Sequence, residues 1–274
     1  MIPKSVTALV VSYRTGPRLV ECLYALKGDP DVSAIVIADN GNPPAAQAWI
    51  DAFVAATPEA RLVRLANPGF GAGVNAAAQL AQTDHVLVIN PDCVIKRGAL
   101  RPLLEALNGL PAPAIAGGRI FDIRGRDERG ARRNTLTLAR ALGLGRWTLD
   151  HEPRPDGPVQ VGAISGAFFV MRTNDFRALG GFDEGYFLHV EDVDLCRRAT
   201  EAGGSVIYVP SAGALHYGST SDVASAFVTQ QKAKGLARYF RKFEAPHRGV
   251  FVRMAVYAMI WARFPLAALR AMAR

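Results

Sequence analysis

Continuous apolar runs in the N-terminal part of the chain alternate with segments whose apolar residues recur every three or four positions. Each run is short and shows no polar alternation, which predicts a strand covered on both faces. The predicted strands are residues 6–12, 34–38, 61–66 and 85–89, and the predicted helices are 17–26, 45–56, an alanine-rich segment ending near 82, and 97–107. This alternation predicts an α/β fold with an open, mostly parallel sheet flanked by helices.

Polar or glycine-rich turns follow the predicted strands at the point where each one ends. The four turns are Ser12-Tyr13, Asp39-Asn40, residues 67–75 and Asn90-Pro91-Asp92. Open α/β sheets bind their ligands beyond the carboxyl ends of the strands. The sequence therefore predicts a single binding crevice to which all four turns contribute.

The second half of the chain has a less regular pattern. It predicts strands at 115–122, 167–171 and 205–209, short helices at 136–142 and 174–179, and a longer helix at 223–240. Residues 123–158 are rich in arginine, glycine and proline, which predicts a mobile loop. Its arginines either meet substrate phosphates or are simply solvated.

The C-terminal segment 248–274 is apolar, but Arg253, Arg263, Pro265 and Arg270 interrupt it, so it is too broken to span a membrane. At helical spacing its arginines Arg248, Arg253, Arg263, Arg270 and Arg274 share one face, and its aromatic residues Phe251, Tyr257, Trp261 and Phe264 lie off that face, if a kink at Pro265 is ignored. This pattern predicts a helix lying on an anionic membrane surface. The alternatives are a helix pair packed on the core or a homodimer interface. We predict a catalytic domain at 1–222 and a helical extension at 223–274.

The composition of the chain indicates which kinds of partner it binds, and it says less about the fold. The 274 residues carry a net charge of +8, which favours a nucleotide, a nucleic acid or an anionic membrane as partner. No nucleic-acid-binding motif accompanies the charge, which argues against nucleic acid. Cys22, Cys93 and Cys196 are scattered and form no CxxC pair, so neither a disulfide framework nor a zinc site is predicted. The chain enters a strand pattern at once without a signal peptide, which predicts a cytoplasmic location.

The most distinctive stretch of the sequence is an acidic run between Gly180 and Arg198. It contains Asp183, Glu191, Asp192 and Asp194, and the last three open a segment with helical spacing. The first turn of a helix favours negative charge because its N–H groups are unpaired and its dipole is positive there. An ordinary acidic helix start accounts for these residues, but the same position also fixes a carboxylate firmly enough for a general base.

Each of the other candidate residues has either a functional or a purely structural interpretation. Asp39 either accepts a hydrogen bond from the imide N–H of uracil or thymine, or stabilises a turn. Asp92 either ligates a Mg²⁺ or Mn²⁺ ion that bridges a diphosphate, or caps a helix. His216 either completes that metal site, binds phosphate, or is structural. Residues 71–76 match the GxGxxA dinucleotide fingerprint but follow the third strand, so we interpret them as a backbone turn that lets a nucleotide approach closely.

These motifs occur together in a fixed order. In chain order they are Val10-Val11-Ser12-Tyr13, Ala38-Asp39-Asn40, residues 67–75, Asn90-Pro91-Asp92, Gly181-Phe182-Asp183-Glu184 with Phe187, residues 191–198, and His216. The set resembles the family 2 inverting glycosyltransferases of GT-A fold, particularly the rhamnosyltransferase-like branch. The resemblance covers residues 5–220 and leaves the C-terminal segment outside it.

The resemblance implies a role for each matching residue. Asp39 would recognise the pyrimidine base, and Asp192 would be the catalytic base, with Glu191 as the second candidate. Asp92 stands where the metal-binding DxD motif of the family ends, and the first position of that motif is here Asn90. The remaining assignments are Ser12 and Tyr13 at the base and ribose, Asn67 and Gly73 bordering the nucleotide, His216 at the metal, and Trp147 stacking on the acceptor.

The implied activity is sugar transfer by a single displacement with inversion, assisted by Mg²⁺ or Mn²⁺. The predicted donor is dTDP-L-rhamnose, with a UDP-hexose or UDP-N-acetylhexosamine as the alternative. The predicted acceptor is a glycan, including one on a polyprenyl diphosphate at the inner face of the cell membrane. A non-catalytic nucleotide-sugar-binding protein is the rival hypothesis. The enzyme interpretation requires Asp39, Asp92 and Asp192 at one pocket rim. It would fail if Asp192 were buried against a lysine or arginine with no open space before it.

Overall fold

The computed structural model describes residues 6–141, 145–218 and 224–272, without the side chains of Ala141 and of residues 263–272. Part of the predicted membrane-facing pattern therefore lies outside the described residues: the side chains of Arg263, Phe264, Pro265 and Arg270, and the whole of Arg274.

Strands and helices alternate through the first half of the chain, as the hydrophobic pattern predicts. The strands are β1 Val6–Ser12, β2 Val32–Asp39, β3 Ala60–Arg64, β4 His85–Ile89, β5 Cys93–Ile95, β6 Ala114–Phe121, β7 Arg132–Arg133, β8 Val159–Gln160, β9 Ala163–Ile164, β10 Phe168–Arg172 and β11 Ser205–His216. The helices are α1 Arg18–Gly28, α2 Pro44–Ala55, α3 Phe70–Ala78, α4 Arg101–Leu107, α5 Leu138–Ala141, α6 Thr173–Ala178, α7 Glu191–Glu201, α8 Ser225–Tyr239 and α9 Val250–Met272. A π-helical turn, Phe240–Glu244, and a 3₁₀ turn, Ala245–His247, join α8 to α9.

The central sheet has the strand order β3-β2-β1-β4-β10-β6-β11-β5, with β8 beside β11. Strands β1 to β4 run parallel to one another, and β6 and β11 run parallel as a second group. β10 lies antiparallel between β4 and β6, which gives both groups the same direction. The predicted α/β architecture with a mostly parallel sheet is confirmed.

Both faces of the sheet are covered by helices, which explains the continuous apolar runs. In β1, Ala8 and Val10 pack into the core layer shared with α1, α2 and α4. The intervening Leu9 and Val11 pack into the opposite layer, shared with α3, α6 and α7. Because neighbouring strand residues point to opposite faces, a strand buried on both sides needs apolar residues at every position.

The strand register brings the predicted turns to one end of the sheet. Ser12 pairs with Asp39 at the ends of β1 and β2, and Ile89 at the end of β4 pairs with Phe168 at the start of β10. At the end of β11, His216 pairs with Cys93. The residues that follow β1, β2, β4 and β11 therefore face a common edge.

The glycine-rich segment after β3 has a different structure from the one inferred from the sequence. We interpreted residues 71–76 as a turn, but α3 begins at Phe70 and includes them. The turn itself is at Gly69, whose φ is 108°. Gly71 and Gly73 instead allow close packing, because a Cβ would lie 2.9 Å from Phe182 Cβ at Gly71 and 2.8 Å from Val11 Cγ1 at Gly73.

The C-terminal helices pack against the rest of the protein through a small apolar cluster. Phe240, Ala245 and Val256 form its buried part, and Leu138, Tyr257 and Ile260 pack around it. α9 continues through position 265 as one helical segment. Within the described residues, no helix combines the length and apolar character needed to cross a bilayer.

Candidate active site

Asp39 presents a buried carboxylate oxygen that accepts no hydrogen bond from the described residues. Its Oδ1 accepts hydrogen bonds from the N–H groups of Gly41 at 3.1 Å and Asn42 at 2.8 Å, and from Asn42 Nδ2 at 2.8 Å. Its Oδ2 is buried without a hydrogen-bond partner among the described residues, and Arg64 Nε stands 3.8 Å away. Since a buried acceptor without a donor is unfavourable, this oxygen is suited to receive an N–H from a ligand.

Asn42 is a site residue that sequence reasoning missed. Its Nδ2 also donates to the Ser12 carbonyl at 3.1 Å, and its Oδ1 accepts from Arg14 N–H at 2.8 Å and Ser12 Oγ at 3.2 Å. The side chain therefore ties the end of β1 to the end of β2. The signal was its place in the turn Asp39-Asn40-Gly41-Asn42, where asparagine amides commonly bond to nearby backbone.

The other predicted nucleotide residues lie around the same strand ends. Ser12 is buried, and Tyr13 is half-buried with the Arg14 guanidinium 5.3 Å from its ring centre. Asn67 takes a left-handed conformation with φ 53° in the turn before α3. Gly73 is buried against Val11, so the close approach that its missing side chain permits is helix on strand. Its predicted contact with a nucleotide stays a prediction.

Asp92 and His216 meet at the far side of the crevice. His216 Nε2 lies 3.2 Å from Asp92 Oδ1 and 3.3 Å from Asn90 Nδ2, and its Nδ1 lies 2.5 Å from Glu128 Oε2. Burial opposes a charge on His216, but the hydrogen bonds to the two carboxylates outweigh it and raise the pKa of His216 to about 10. The imidazole is thus protonated between two carboxylates in this form.

A carboxylate, an imidazole and a neighbouring amide are suitable ligands for a divalent cation that also binds phosphate oxygens. Ligand atoms of Asp92, Cys93 and His216 lie within 4.8 Å of one another. Burial raises the pKa of the Cys93 thiol well above its ordinary value, which leaves the thiol protonated and unsuited to a hard cation. Asp92 therefore fits Mg²⁺ or Mn²⁺, and His216 can join it as a ligand once its Nε2 has given up its proton. Glu128, which holds His216, comes from the long loop, and no motif predicted it.

Asp192 lies at the same edge as Asp92. Its Oδ2 accepts from the Gly166 N–H at 2.9 Å, and the next residue, Ala167, accepts from Asn90 N–H at 3.0 Å. A Cβ on Gly166 would lie 3.2 Å from Asp192 Cβ, so glycine permits this close approach. As predicted, Glu191 and Asp192 form the first turn of α7.

The Arg133 guanidinium forms an ion pair with the Asp192 carboxylate. From the sequence, we expected open space in front of this carboxylate. Arg133 lies 2.5 Å from Asp192 Oδ2, and the two side chains are 10% and 12% exposed. Arg133 also donates to the Ile164 carbonyl at 2.7 Å, and its Nε is buried without a partner among the described residues. Asp192 Oδ1 accepts from Val193 N–H at 2.8 Å and retains lone-pair capacity for one more donor.

The two adjacent carboxyl groups have opposite pKa shifts. Burial raises the pKa of Asp192, but the Arg133 guanidinium and the backbone N–H groups reverse that effect and lower it below its ordinary value. Burial and the neighbouring Asp192 charge raise the pKa of Glu191 to about 8. The arrangement keeps Asp192 ionised and Glu191 protonated at neutral pH, so Asp192 is the better-prepared proton acceptor.

Arg133 belongs to β7, inside the segment that the sequence predicted as a mobile loop. β7 pairs with β9, and Arg132 and Arg133 are both buried. Two consecutive arginines do not resemble a strand, so no local pattern identified them. Trp147, the predicted acceptor-stacking residue, lies 5.5 Å from the Arg133 guanidinium and has a buried, unpartnered Nε1 within the described structure.

Ion pairs and hydrogen bonds within the protein engage Asp183, Glu184 and Asp194 of the acidic run, and Glu184 accepts from Asn75 Nδ2 at 3.0 Å. Asp183 pairs with Arg238 of α8 at 2.6 Å, and both Asp183 and Asp194 pair with Lys242, at 2.9 Å and 2.7 Å. Asp194 also accepts from the Tyr186 hydroxyl at 3.0 Å. These ion pairs attach α8 and the π-helical turn after it to α7 and to the segment before α7, which leaves Glu191 and Asp192 as the candidates for chemistry.

The turn before α7 is strained and is held by α8. His189 and Val190 both have left-handed conformations, with φ of 68° and 75°. A β-branched residue there costs about 1–3 kcal/mol and persists only where its surroundings impose it. A Cβ on Gly235 of α8 would lie 2.9 Å from both the His189 carbonyl oxygen and Val190 Cγ2. The close approach of α8 therefore fixes the turn that positions Asp192.

The sequence matches the family model described as "Glycosyltransferase like family 2" over residues 3–251. It is 31% identical over 281 residues to the N-acetylglucosaminyl-diphospho-decaprenol L-rhamnosyltransferase of Mycobacterium tuberculosis, an alignment that covers 94% of this chain and 86% of that protein.

Solved glycosyltransferase structures share the fold. GalNAc-T7 with UDP, GalNAc and Mn²⁺ aligns with a TM-score of 0.67 at 14% identity, over 86% of this chain and 48% of that chain. This chain thus spans about half the length of that structure. The mannosyltransferase PcManGT from Pyrobaculum calidifontis, in complex with GDP-Man and Mn²⁺, aligns with a TM-score of 0.64 at 16% identity, over 98% of this chain and 73% of that one.

Proposed function

The chain belongs to the glycosyltransferase-like family 2, and from that premise we propose that this glycosyltransferase moves L-rhamnose from dTDP-L-rhamnose to a hydroxyl of a lipid-linked glycan. The observation that carries the proposal is the placement of Asp39, Asp92 and Asp192 around one end of the sheet. The similarity to a rhamnosyltransferase supports the sugar. A UDP-hexose or UDP-N-acetylhexosamine is the alternative donor.

The proposed reaction is one displacement at the anomeric carbon. Asp192 takes the proton of the acceptor hydroxyl while that oxygen bonds to the anomeric carbon and the bond to the diphosphate oxygen breaks. The sugar configuration inverts because attack comes from the face opposite the leaving group. Arg133 keeps Asp192 ionised before the acceptor arrives, and Oδ1 is the oxygen with room for the proton.

Asp92 and His216 would hold a divalent cation, with Asn90 beside them. Such a cation, when bound, supplies positive charge that stabilises the leaving diphosphate. Around it, this chain contributes the fixed orientation of the two ligands. Glu128 orients the imidazole through Nδ1, leaving Nε2 directed at Asp92.

A thermal-shift screen of dTDP, UDP and GDP sugars, with and without Mn²⁺, tests the donor. Saturating dTDP-L-rhamnose should raise the melting temperature by about 5 °C or more, because binding the folded state at a hundred times Kd stabilises it by about 2.7 kcal/mol. Stabilisation by GDP sugars alone would contradict the pyrimidine assignment.

Asp39→Asn should weaken dTDP and UDP binding roughly tenfold to a hundredfold while leaving the fold intact. The substitution allows the three hydrogen bonds at Oδ1 to remain but places an amide donor where Oδ2 would accept the base imide N–H. Isothermal titration calorimetry measures the change. Asp51→Asn, which alters a neighbouring exposed carboxylate paired with Arg64, is the matched control and should bind normally. Unchanged affinity in Asp39→Asn would remove the base-recognition role.

Gly235→Ala should lower kcat by roughly tenfold to a hundredfold with little change in donor KM. The added methyl group would press on His189 and Val190 and shift the turn that presents Asp192, and small misplacements of catalytic groups have effects of this size. Gly249→Ala, whose Cβ would meet no atom within 4 Å, is the control in the same extension. Equal kcat in Gly235→Ala and the control would show that α8 does not position the base.

The first turns of α9 support a peripheral membrane contact. Phe251 is 84% exposed and Met254 64% exposed, and Val250 and Trp261 are also exposed. Arg248 and Arg253 lie beside them in the sequence. Exposed apolar side chains with neighbouring arginines are typical of helices that insert into the surface of an anionic bilayer. This supports a lipid-linked acceptor reached from the membrane surface.

Phe251→Ser combined with Met254→Ser should reduce the partition coefficient onto anionic vesicles, measured by sedimentation, by roughly a hundredfold or more, since burying each side chain contributes about 1.5–3 kcal/mol. Ile123→Ser with Leu80→Ser removes two exposed apolar side chains elsewhere and should sediment like the unmodified protein. If the α9 variant still binds fully, α9 is not the membrane contact.

A further inference from the structure

A cavity outside the nucleotide crevice lies between α5 and the residues that follow it. Its volume is about 510 Å³, and it is lined by Asn134, Thr137, Ala139, Arg140, Gly145, Arg146, His151 and Glu152. Arg140 NH1 donates to the Thr135 carbonyl at 2.8 Å, and Asn134 Nδ2 donates to the Arg146 carbonyl at 3.1 Å. The first bond holds the Arg140 guanidinium, and the second joins Asn134 to the backbone of Arg146 on the other side of the cavity.

The charge of the cavity is suited to an anion. Two guanidinium groups and an imidazole face one carboxylate, that of Glu152. Neither Arg140 nor Arg146 forms an ion pair among the described residues, whereas Arg126 and Arg154 of the same segment pair with Asp122 and Asp127. Arginines whose donors are not matched by carboxylates are suited to bind phosphate oxygens.

The cavity adjoins the catalytic carboxylate along the chain. Asn134 lines it, and the preceding residue, Arg133, pairs with Asp192 at 2.5 Å. The cavity lining therefore begins one residue after the arginine that pairs with the proposed base.

The cavity also adjoins the apolar C-terminal helix. Leu138, between the lining residues Thr137 and Ala139, packs with Val256, Tyr257 and Ile260 of α9. The Tyr239 hydroxyl donates to the Leu136 carbonyl at 3.1 Å. The cavity wall thus shares a core with the helix that exposes Phe251 and Met254.

We propose that this cavity binds the diphosphate of the lipid-linked acceptor. A polyprenyl diphosphate joins a doubly anionic group to an apolar chain, and the cavity and α9 offer arginines and exposed apolar side chains side by side. This inference rests on the proposed glycosyl transfer to a lipid-linked acceptor.

Inorganic diphosphate is the first probe, titrated in metal-free buffer containing excess dTDP to fill the donor site. Arg140→Gln with Arg146→Gln should weaken its binding roughly a hundredfold, about tenfold for each arginine. Arg124→Gln with Arg129→Gln removes equal charge from the same segment outside the cavity and should bind as the unmodified protein does. Equal affinity in both variants, or no binding by the unmodified protein, overturns the proposal.

Vesicles distinguish the acceptor from ordinary anionic lipid. The first vesicles consist of uncharged phospholipid with added polyprenyl diphosphate, and the Arg140→Gln, Arg146→Gln variant should bind them more weakly than the unmodified protein does. The second vesicles carry the same charge in the form of anionic phospholipid, and both forms of the protein should bind them alike. Equal losses on both kinds of vesicle would assign the arginines to general membrane charge and overturn the acceptor role.

Kinetics separate this inference from the proposed function. The cavity variant should show a raised KM for the lipid-linked acceptor and unchanged affinity for dTDP-L-rhamnose. Normal transfer with an unchanged acceptor KM overturns the cavity assignment and leaves the glycosyl transfer standing. Failure of the unmodified protein to bind any pyrimidine nucleotide sugar would instead overturn the proposed function.

Discussion

Asp192→Asn should lower the rate of sugar transfer by roughly 10²- to 10⁴-fold, the usual contribution of a positioned general base. The amide cannot take the proton from the acceptor hydroxyl, although it keeps the size and much of the hydrogen bonding of the carboxylate. Affinity for dTDP-L-rhamnose should stay within about twofold, because base recognition is proposed for Asp39, at another strand end. Single-turnover kinetics and calorimetry measure the two quantities separately.

Two variants of α7 sharpen that result. Glu201→Gln changes an exposed carboxylate at the other end of the same helix, paired with Arg197, and should transfer sugar normally. Glu191→Gln keeps a neutral side chain where the neutral acid is expected and should cost far less than Asp192→Asn. A large loss in Glu191→Gln with near-normal rates in Asp192→Asn would reverse the assignment.

The pH dependence of kcat distinguishes the same two carboxyls. A general base works only when deprotonated, so the rate falls as the pH drops through its pKa. The pKa of Asp192 lies below its ordinary value, so kcat should stay flat through neutral pH and fall only under acid conditions. With Glu191 as base, whose pKa is raised to about 8, kcat would already fall about tenfold per pH unit below that value.

Asp92→Asn should lower metal-dependent transfer by roughly 10²- to 10³-fold, since charge on the leaving diphosphate would lose part of its stabilisation. The amide is a weaker ligand than the carboxylate and no longer pairs with His216. Mn²⁺ binding in the presence of dTDP, followed by electron paramagnetic resonance, should weaken in parallel.

Asp122→Asn is the control for this experiment, because Asp122 is a carboxylate that directly follows β6 and pairs with Arg126. It should titrate with Mn²⁺ as the unmodified enzyme does. Undiminished Mn²⁺-dependent activity in Asp92→Asn would mean that the cation, if used, is held elsewhere.

The sequence predicted the edge of the sheet well because parallel strands impose it. Once Val6–Ser12, Val32–Asp39 and His85–Ile89 are parallel neighbours, the polar residues that follow them must meet, whatever the rest of the chain does. The placement of Asp39 and Asp92 needed only the apolar runs and the turns. The family resemblance added Asp192, which no strand pattern could place.

Residues that approach the site from far along the chain could not be predicted in this way. Arg133 meets a carboxylate 59 positions away, and Glu128 meets His216 88 positions away. Both come from a segment whose composition is that of a loop, and their effect is to set pKa values rather than to form a pattern. Gly71 and Gly73 were misinterpreted because a glycine needed for packing and one needed for a turn look alike in sequence.

The partners of the acidic residues between Gly180 and Arg198 could not be predicted from the sequence either. Several carboxylates in a short stretch suggested a shared task, yet Asp183 and Asp194 form ion pairs with Arg238 of α8 and with Lys242 of the following π-helical turn. Those partners lie in the segment that the sequence predicted as a separate extension. Whether an acid is catalytic or structural depended on contacts that only the folded chain reveals.

The most direct test of the central claim is a crystal structure with an unreactive dTDP-sugar analogue and Mn²⁺. The account predicts the thymine N3–H within hydrogen-bonding distance of Asp39 Oδ2, the diphosphate beside Asp92 and His216, and the anomeric carbon facing Asp192. A nucleotide bound at another edge, or a sugar separated from Asp192 by an Arg133 ion pair that stays closed with the acceptor bound, would contradict it.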